Sequence, residues 1–185
     1  MIEAVFFDLY ETLGNKKIPL GERLGLGAER FREEWRARRR PRHTGAYRDY
    51  RAVLREICET MGETPDEDLI QTLYTERCNA KTAPLREIRR DILGLLEDLE
   101  EMKLRIGLIT NSEPEEVSAW PRSDLAPFFD DAVFSHKVRY MKPDPDLIID
   151  TCNKAVHAEK VEGATASKIL DIGESALLYL DSLTG

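Results

Sequence analysis

Near the amino terminus the chain reads Ala4-Val5-Phe6-Phe7 and stops at Asp8. An unbroken apolar run, rather than an alternating one, belongs to a strand covered on both faces, and hence to a parallel sheet. Similar runs recur: Leu104 to Ile109 stops at Thr110-Asn111-Ser112, Ala132-Val133-Phe134 at Ser135, and Ile169-Leu170-Asp171-Ile172 at Gly173-Glu174-Ser175. Between them lies helical spacing. Leu85, Ile88, Ile92, Leu95, Leu96, Leu99 and Met102 stand three and four apart and predict a crossover helix. Asp144-Pro145 ahead of Leu147, Ile148 and Ile149 predicts another, with Asp as N-cap and Pro in the first helical position. Strands alternating with helices specify an α/β fold: a Rossmann-like parallel sheet with helices on both faces and its ligand site outside the carboxyl ends of the strands.

Residues 15–83 break the alternation. They hold three helical stretches and no strand, with one stripe at Tyr47, Tyr50, Leu54, Ile57 and Met61 and another at Leu69, Ile70, Leu73, Tyr74 and Cys78, parted by Gly62 and Pro65. Inserted between the first strand and its crossover helix, such a block sits over the carboxyl edge of the sheet as a cap. The expected organisation is a core of residues 1–14 and 84–185 and a helical cap of residues 15–83. Gly14 and Ala83-Pro84 are the expected hinges. Five arginines between Arg36 and Arg42, with His43 beside them, read either as a solvated helix face or as a patch for phosphate or an acidic partner.

A chain of 185 residues with 42% hydrophobic and 34% charged residues buries a core of its own, which excludes the disordered and fibrous classes. No apolar run approaches the ~20 residues that span a bilayer. The net charge of -8 argues against a nucleic-acid coat. Cys58, Cys78 and Cys152 are odd in number and lack any C-x-x-C spacing, so they read as reduced thiols of a cytoplasmic protein.

Taken alone, Asp8 is a common turn former at a strand end. In register with Phe6-Phe7-Asp8-Leu9-Tyr10-Glu11-Thr12-Leu13, Leu108-Ile109-Thr110-Asn111-Ser112 and Lys142-Pro143-Asp144-Pro145, it takes on another meaning. The order of these motifs resembles the haloacid dehalogenase superfamily, whose members hydrolyse phosphate esters or carbon-halogen bonds through an aspartyl intermediate. The resemblance implies that Asp8 is the nucleophile and that Thr110 and Asn111 meet the transferred group. Lys142 would neutralise the charge there, with Lys137 in reserve. Ser112 and Glu115 also fit a capping box, so part of the second motif reads equally as a helix start.

Two departures divide the family's branches. Phosphatases of the superfamily carry a second Asp two residues after the nucleophile, as general acid and base; here it is Tyr10, whose phenol is a poor base at neutral pH. Tyr at this position resembles the dehalogenase branch, in which halide leaves without a proton, and Glu11, three residues after Asp8, reads either as a substitute acid or as a neighbour turned away from the leaving group. The fourth motif, Asp171-Ile172-Gly173-Glu174-Ser175, offers Asp171 and Glu174, with Asp181 beyond the usual spacing. Together with Asp8 and the Tyr10 carbonyl they would hold Mg2+ through hard oxygen ligands. The resemblance thus implies a hydrolase of small anionic substrates, a phosphatase first, a 2-haloacid dehalogenase second, and a weakly active or inactive binding protein third. It also implies one more strand and helix than the sequence holds. The expected open sheet edge promotes association into a homodimer.

Overall fold

A computed structural model describes residues 4–9 and 20–146. The chain opens with β1 (Ala4–Phe7) and continues through α1 (Leu20–Arg23), α2 (Ala28–Ala37), α3 (Arg39–His43), α4 (Tyr50–Thr60) and α5 (Glu67–Thr82). Then come α6 (Arg90–Glu101), β2 (Arg105–Thr110), β3 (Asp131–Phe134) and α7 (Ser135–Val138). The strands form a parallel sheet in the order β1-β2-β3, pairing Phe6 with Gly107 and Gly107 with Asp131. A Cβ at Gly107 would lie 2.5 Å from the ring of Phe6, so a larger residue there would have to displace that partly exposed ring. The fold class expected from the strand and helix alternation is therefore the one adopted. The fourth apolar run, Ile169 to Ile172, lies outside the described residues.

Two apolar clusters form among the described residues. One lies against the sheet and joins Leu9, Leu96, Ile106, Leu108, Trp120 and Phe134. The other lies among the helices of 20–82 and joins Phe31, Tyr50, Leu54, Ile57, Ile70 and Leu73. The stripes predicted for α4 and α5 supply most of this second cluster, and both helices are capped by side chains. Asp49 accepts from the amides of Arg51 and Ala52 at 2.9 and 3.3 Å, and Asp66 accepts from Leu69 N at 3.0 Å. Gly62, at φ +81°, ends the α4 segment in the left-handed region.

Three local expectations are corrected. The block holds five helices over 20–82 rather than three, because Gly25, with positive φ, parts α1 from α2, and Arg38, at φ -91° and ψ 7°, parts α2 from α3. The crossover helix starts at Arg90, not at Leu85. Leu85 closes a short 3-10 turn, Arg89 is extended, and Leu93, Leu96 and Leu99 form the face turned to the sheet cluster. Ile92, Leu95 and Met102, assigned by the periodicity to that stripe, are exposed. The capping box of Ser112 and Glu115 does not form, since residues 114–119 are turns and Glu115 is drawn away to an arginine of α5.

Gly45 ties the helical segment to the sheet side. At φ +70° it passes so close to α7 that a Cβ would stand 2.2 Å from the His136 carbonyl oxygen. Gly45→Ala combines strained backbone with a backbone clash and is expected to cost more than about 2 kcal/mol. Thermal denaturation should show a Tm lower by roughly 4–8 °C; an unchanged Tm would contradict the packing at this point.

Candidate active site

Asp8 follows β1 directly, so the sheet presents its carboxylate at the carboxyl edge. Its side chain is 43% exposed, and Oδ1 accepts from Leu9 N at 2.8 Å while the Leu9 side chain is buried in the sheet cluster. Oδ2 pairs with the Lys142 ammonium. That lysine is held at several points: Nζ donates to the Ile109 carbonyl at 3.1 Å, its amide donates to Asn111 Oδ1 at 2.7 Å, and Asn111 Nδ2 donates back to its carbonyl at 3.3 Å. Asn111 therefore clamps the Lys142 peptide from both sides.

Thr110, last residue of β2, is completely buried, and its hydroxyl has no hydrogen-bond partner among the described residues. Ser112 N donates to Ser135 Oγ at 2.9 Å, and His136 Nδ1 lies 3.2 Å from Ser112 Oγ, so the loops after β2 and β3 are stapled together. Burial holds the His136 imidazole below its ordinary pKa. Asp144 accepts from Asp146 N at 3.2 Å, as an N-cap at this position requires.

The expected residues Asp8, Thr110, Asn111 and Lys142 thus converge on one strand edge. Lys137 does not join them. It is exposed and its ammonium lies 4.8 Å from the centre of the Phe134 ring. Tyr10, Glu11, Asp171, Glu174, Asp181 and the hinge residue Gly14 lie outside the described residues.

A cleft of about 350 Å³ opens above Asp8 and Asn111, walled by Trp35, Arg39, Arg42, His43, Arg77 and Lys81 from α2, α3 and α5, and by Glu113 and Glu116 from the loop after β2. The arginine-rich stretch is neither wholly solvated nor one patch. Arg36 and Arg40 are exposed, Arg38 pairs with Glu34 and Glu56, and Arg42 is buried against Glu113 with its guanidinium 3.7 Å from the Trp35 ring centre. Burial lowers the Arg42 and His43 pKa values.

Opposite Arg42, Arg77 reaches Glu113, Glu115 and Glu116 at 3.1, 2.9 and 3.1 Å, and Lys81 reaches Glu116 at 2.9 Å. Burial, and then the charge of Glu113, push the Glu115 carboxyl up to about 7. Burial opposes the charge of Glu116 as well, but Arg77 and Lys81 hold it below the ordinary carboxylate value. His43, Glu113 and Glu116 bring one donor atom each within 4.8 Å of one another. Arg42, Arg77 and Lys81 already neutralise those acids, so the cluster is an ion-pair lattice and not a cation site. Sequence spacing alone does not reveal the lattice, although its signal is visible: Arg77 and Lys81 stand four apart on a helix, and Glu113-Pro114-Glu115-Glu116 directly follows the second motif.

A parallel sheet whose strand ends bring together a carboxylate, an ammonium and a buried hydroxyl defines a Rossmann-like hydrolase. The model of the haloacid dehalogenase-like hydrolases matches residues 2–163, and the chain belongs to that family. No curated protein sequence matches it. Among solved structures it is similar to a HAD family enzyme of Bacteroides thetaiotaomicron in complex with magnesium and inorganic phosphate, at 19% identity and TM-score 0.59 over 84% of this chain and 79% of that one. It is also similar to a 2-haloacid dehalogenase of Pseudomonas syringae pv. Tomato DC3000, at 24% identity and TM-score 0.53 over 84% and 73%. These likenesses show the fold. No helix among the described residues is long and apolar enough to cross a membrane.

Proposed function

We propose that the chain is a phosphatase acting on small phosphorylated metabolites. The observation that carries this reading is the wall of the cleft above Asp8: among the described residues lining it, every side chain but Trp35 is charged or hydrogen-bonding. A halogenated alkanoic acid gains from apolar walls. A polar phosphate ester is the better match.

In this reading Asp8 attacks phosphorus, forming an aspartyl phosphate as the bond to the leaving alcohol breaks, and water then attacks the same phosphorus to regenerate the carboxylate. Lys142, fixed by Asn111 and the Ile109 carbonyl, neutralises charge on the phosphoryl oxygens, and the Thr110 hydroxyl, unpartnered among the described residues, donates to one of them. Glu11 is the acid assigned to the leaving alcohol. Asp8 is a hard oxygen donor exposed to the cleft, which suits magnesium, and with the Tyr10 carbonyl, Asp171 and Glu174 it would hold that ion. When bound, the ion supplies electrostatic shielding of the phosphate. Residues 15–83 serve as a cap hinged near Gly14 and Ala83-Pro84, admitting small substrates and excluding bulk water.

The second reading, a 2-haloacid dehalogenase, is favoured by Tyr10 in place of a second Asp. A hydrolysis screen of phosphomonoesters and 2-haloacids, each with magnesium or EDTA, separates the two. Magnesium-dependent release of phosphate is the expected result. Halide release in EDTA establishes the dehalogenase, and no release of either leaves the fold as a binding protein.

A further inference from the structure

The lattice beside the cleft joins two parts of the molecule that share neither a strand nor an apolar cluster. Arg42 of α3 and Arg77 and Lys81 of α5 come from the helical side, and Glu113, Glu115 and Glu116 from the loop that follows β2. Three cations meet three carboxyl groups there, and every pair spans the two parts. Within it Glu115 is the anomaly. Its side chain is 0% exposed, it shares Arg77 with both other carboxylates, and its Oε2 has no partner among the described residues. A buried carboxylate oxygen without a donor is costly when ionised, and a proton on it replaces that cost by the smaller one of a neutral hydroxyl.

We propose that this lattice is a latch holding the helical segment shut over Asp8, and that the loss of a proton from Glu115 releases it. The groups facing Glu115 are Arg77 and Cys78 of α5, Tyr50 of α4, and Glu113 and Glu116 of its own loop. Arg42, His43 and Lys81 complete the lattice around them. The direction follows from linkage. The closed arrangement raises the Glu115 carboxyl to about 7, and opening returns it to water and towards the ordinary carboxylate value. Protons therefore favour the closed form, and opening grows as pH rises through the ordinary carboxylate range up to neutrality, by at most about tenfold per pH unit. His43 and His136 work the other way, since burial lowers both and acid would favour exposing them.

Trp35 reports on this junction, because it lines the cleft and lies under the Arg42 guanidinium. The chain holds two tryptophans, so Trp120→Phe leaves Trp35 as the only one. Acrylamide quenching of this full-length variant should climb about twofold or more between about pH 5 and pH 8. With Glu115→Gln added, quenching should show no rise with pH, because the amide mimics the protonated acid and the histidines that still titrate act in the opposite sense. The same climb in the variant that also carries Glu115→Gln would overturn the assignment of the release to Glu115. Should the double variant not fold, the sign of the single titration decides alone: a rise with pH supports the latch, and a flat profile or a fall overturns it.

Discussion

Asp8→Asn is expected to reduce turnover of the best substrate found in the hydrolysis screen by at least about 10⁴-fold, because a nucleophile's removal is not compensated by the groups around it. An amide in the same place keeps the shape and the hydrogen bond from Leu9 N but cannot form the proposed aspartyl phosphate. Stability should hardly change. Asp8 is nearly half exposed, and an ion pair in that setting contributes on the order of 0–1 kcal/mol, so Tm should stay within about 4 °C of the parent. A variant with more than a few per cent of parental activity and a normal melting curve would remove Asp8 from the chemistry while leaving the fold intact.

The largest effect on stability is expected at Arg77. Its guanidinium is shared by Glu113, Glu115 and Glu116, and these acids keep its pKa above the ordinary arginine value although burial opposes its charge. In Arg77→Met, Glu113 keeps Arg42 and Glu116 keeps Lys81, but Glu115 loses the guanidinium it pairs with and stays buried. Removing one partner of a buried charge cluster costs about 3–5 kcal/mol, which at this chain length lowers Tm by roughly 10 °C. The loss should shrink at acid pH, where Glu115 takes up a proton instead of standing as an unpaired charge. Adding Glu115→Gln to Arg77→Met should recover part of the loss, and a double-mutant cycle measures the coupling. A Tm within about 2 °C of the parent at neutral pH would show that the lattice contributes little to stability.

What the sequence determined by itself was local and periodic. The apolar runs at Ala4, Leu104 and Ala132 form parallel strands, and they end where polar residues force them to end, which is enough to place Asp8, Thr110 and Asn111 at one edge. Burial was less well foreseen, since β2 and β3 hold buried residues whereas β1, expected to be covered on both faces, is exposed or half-buried among the described residues. Order along the chain added Lys142, and its ammonium does meet Asp8. The stripes of α4 and α5 were legible for the same reason: side chains three and four apart must share a face.

Other features depended on distance across the chain. Nothing in local pattern tells which side of α6 meets the sheet, and docking turned Leu93, Leu96 and Leu99 inward while leaving Leu95 and Met102 out. Ser112 and Glu115 had the spacing of a capping box, yet a guanidinium 38 positions away binds the carboxylate instead. Arg42 and Arg40 are two residues apart in the same basic run. Only packing against Trp35 and Glu113 decided that one is buried in the lattice while the other stays in water, because Coulomb attraction and desolvation depend on three-dimensional neighbours and not on sequence spacing.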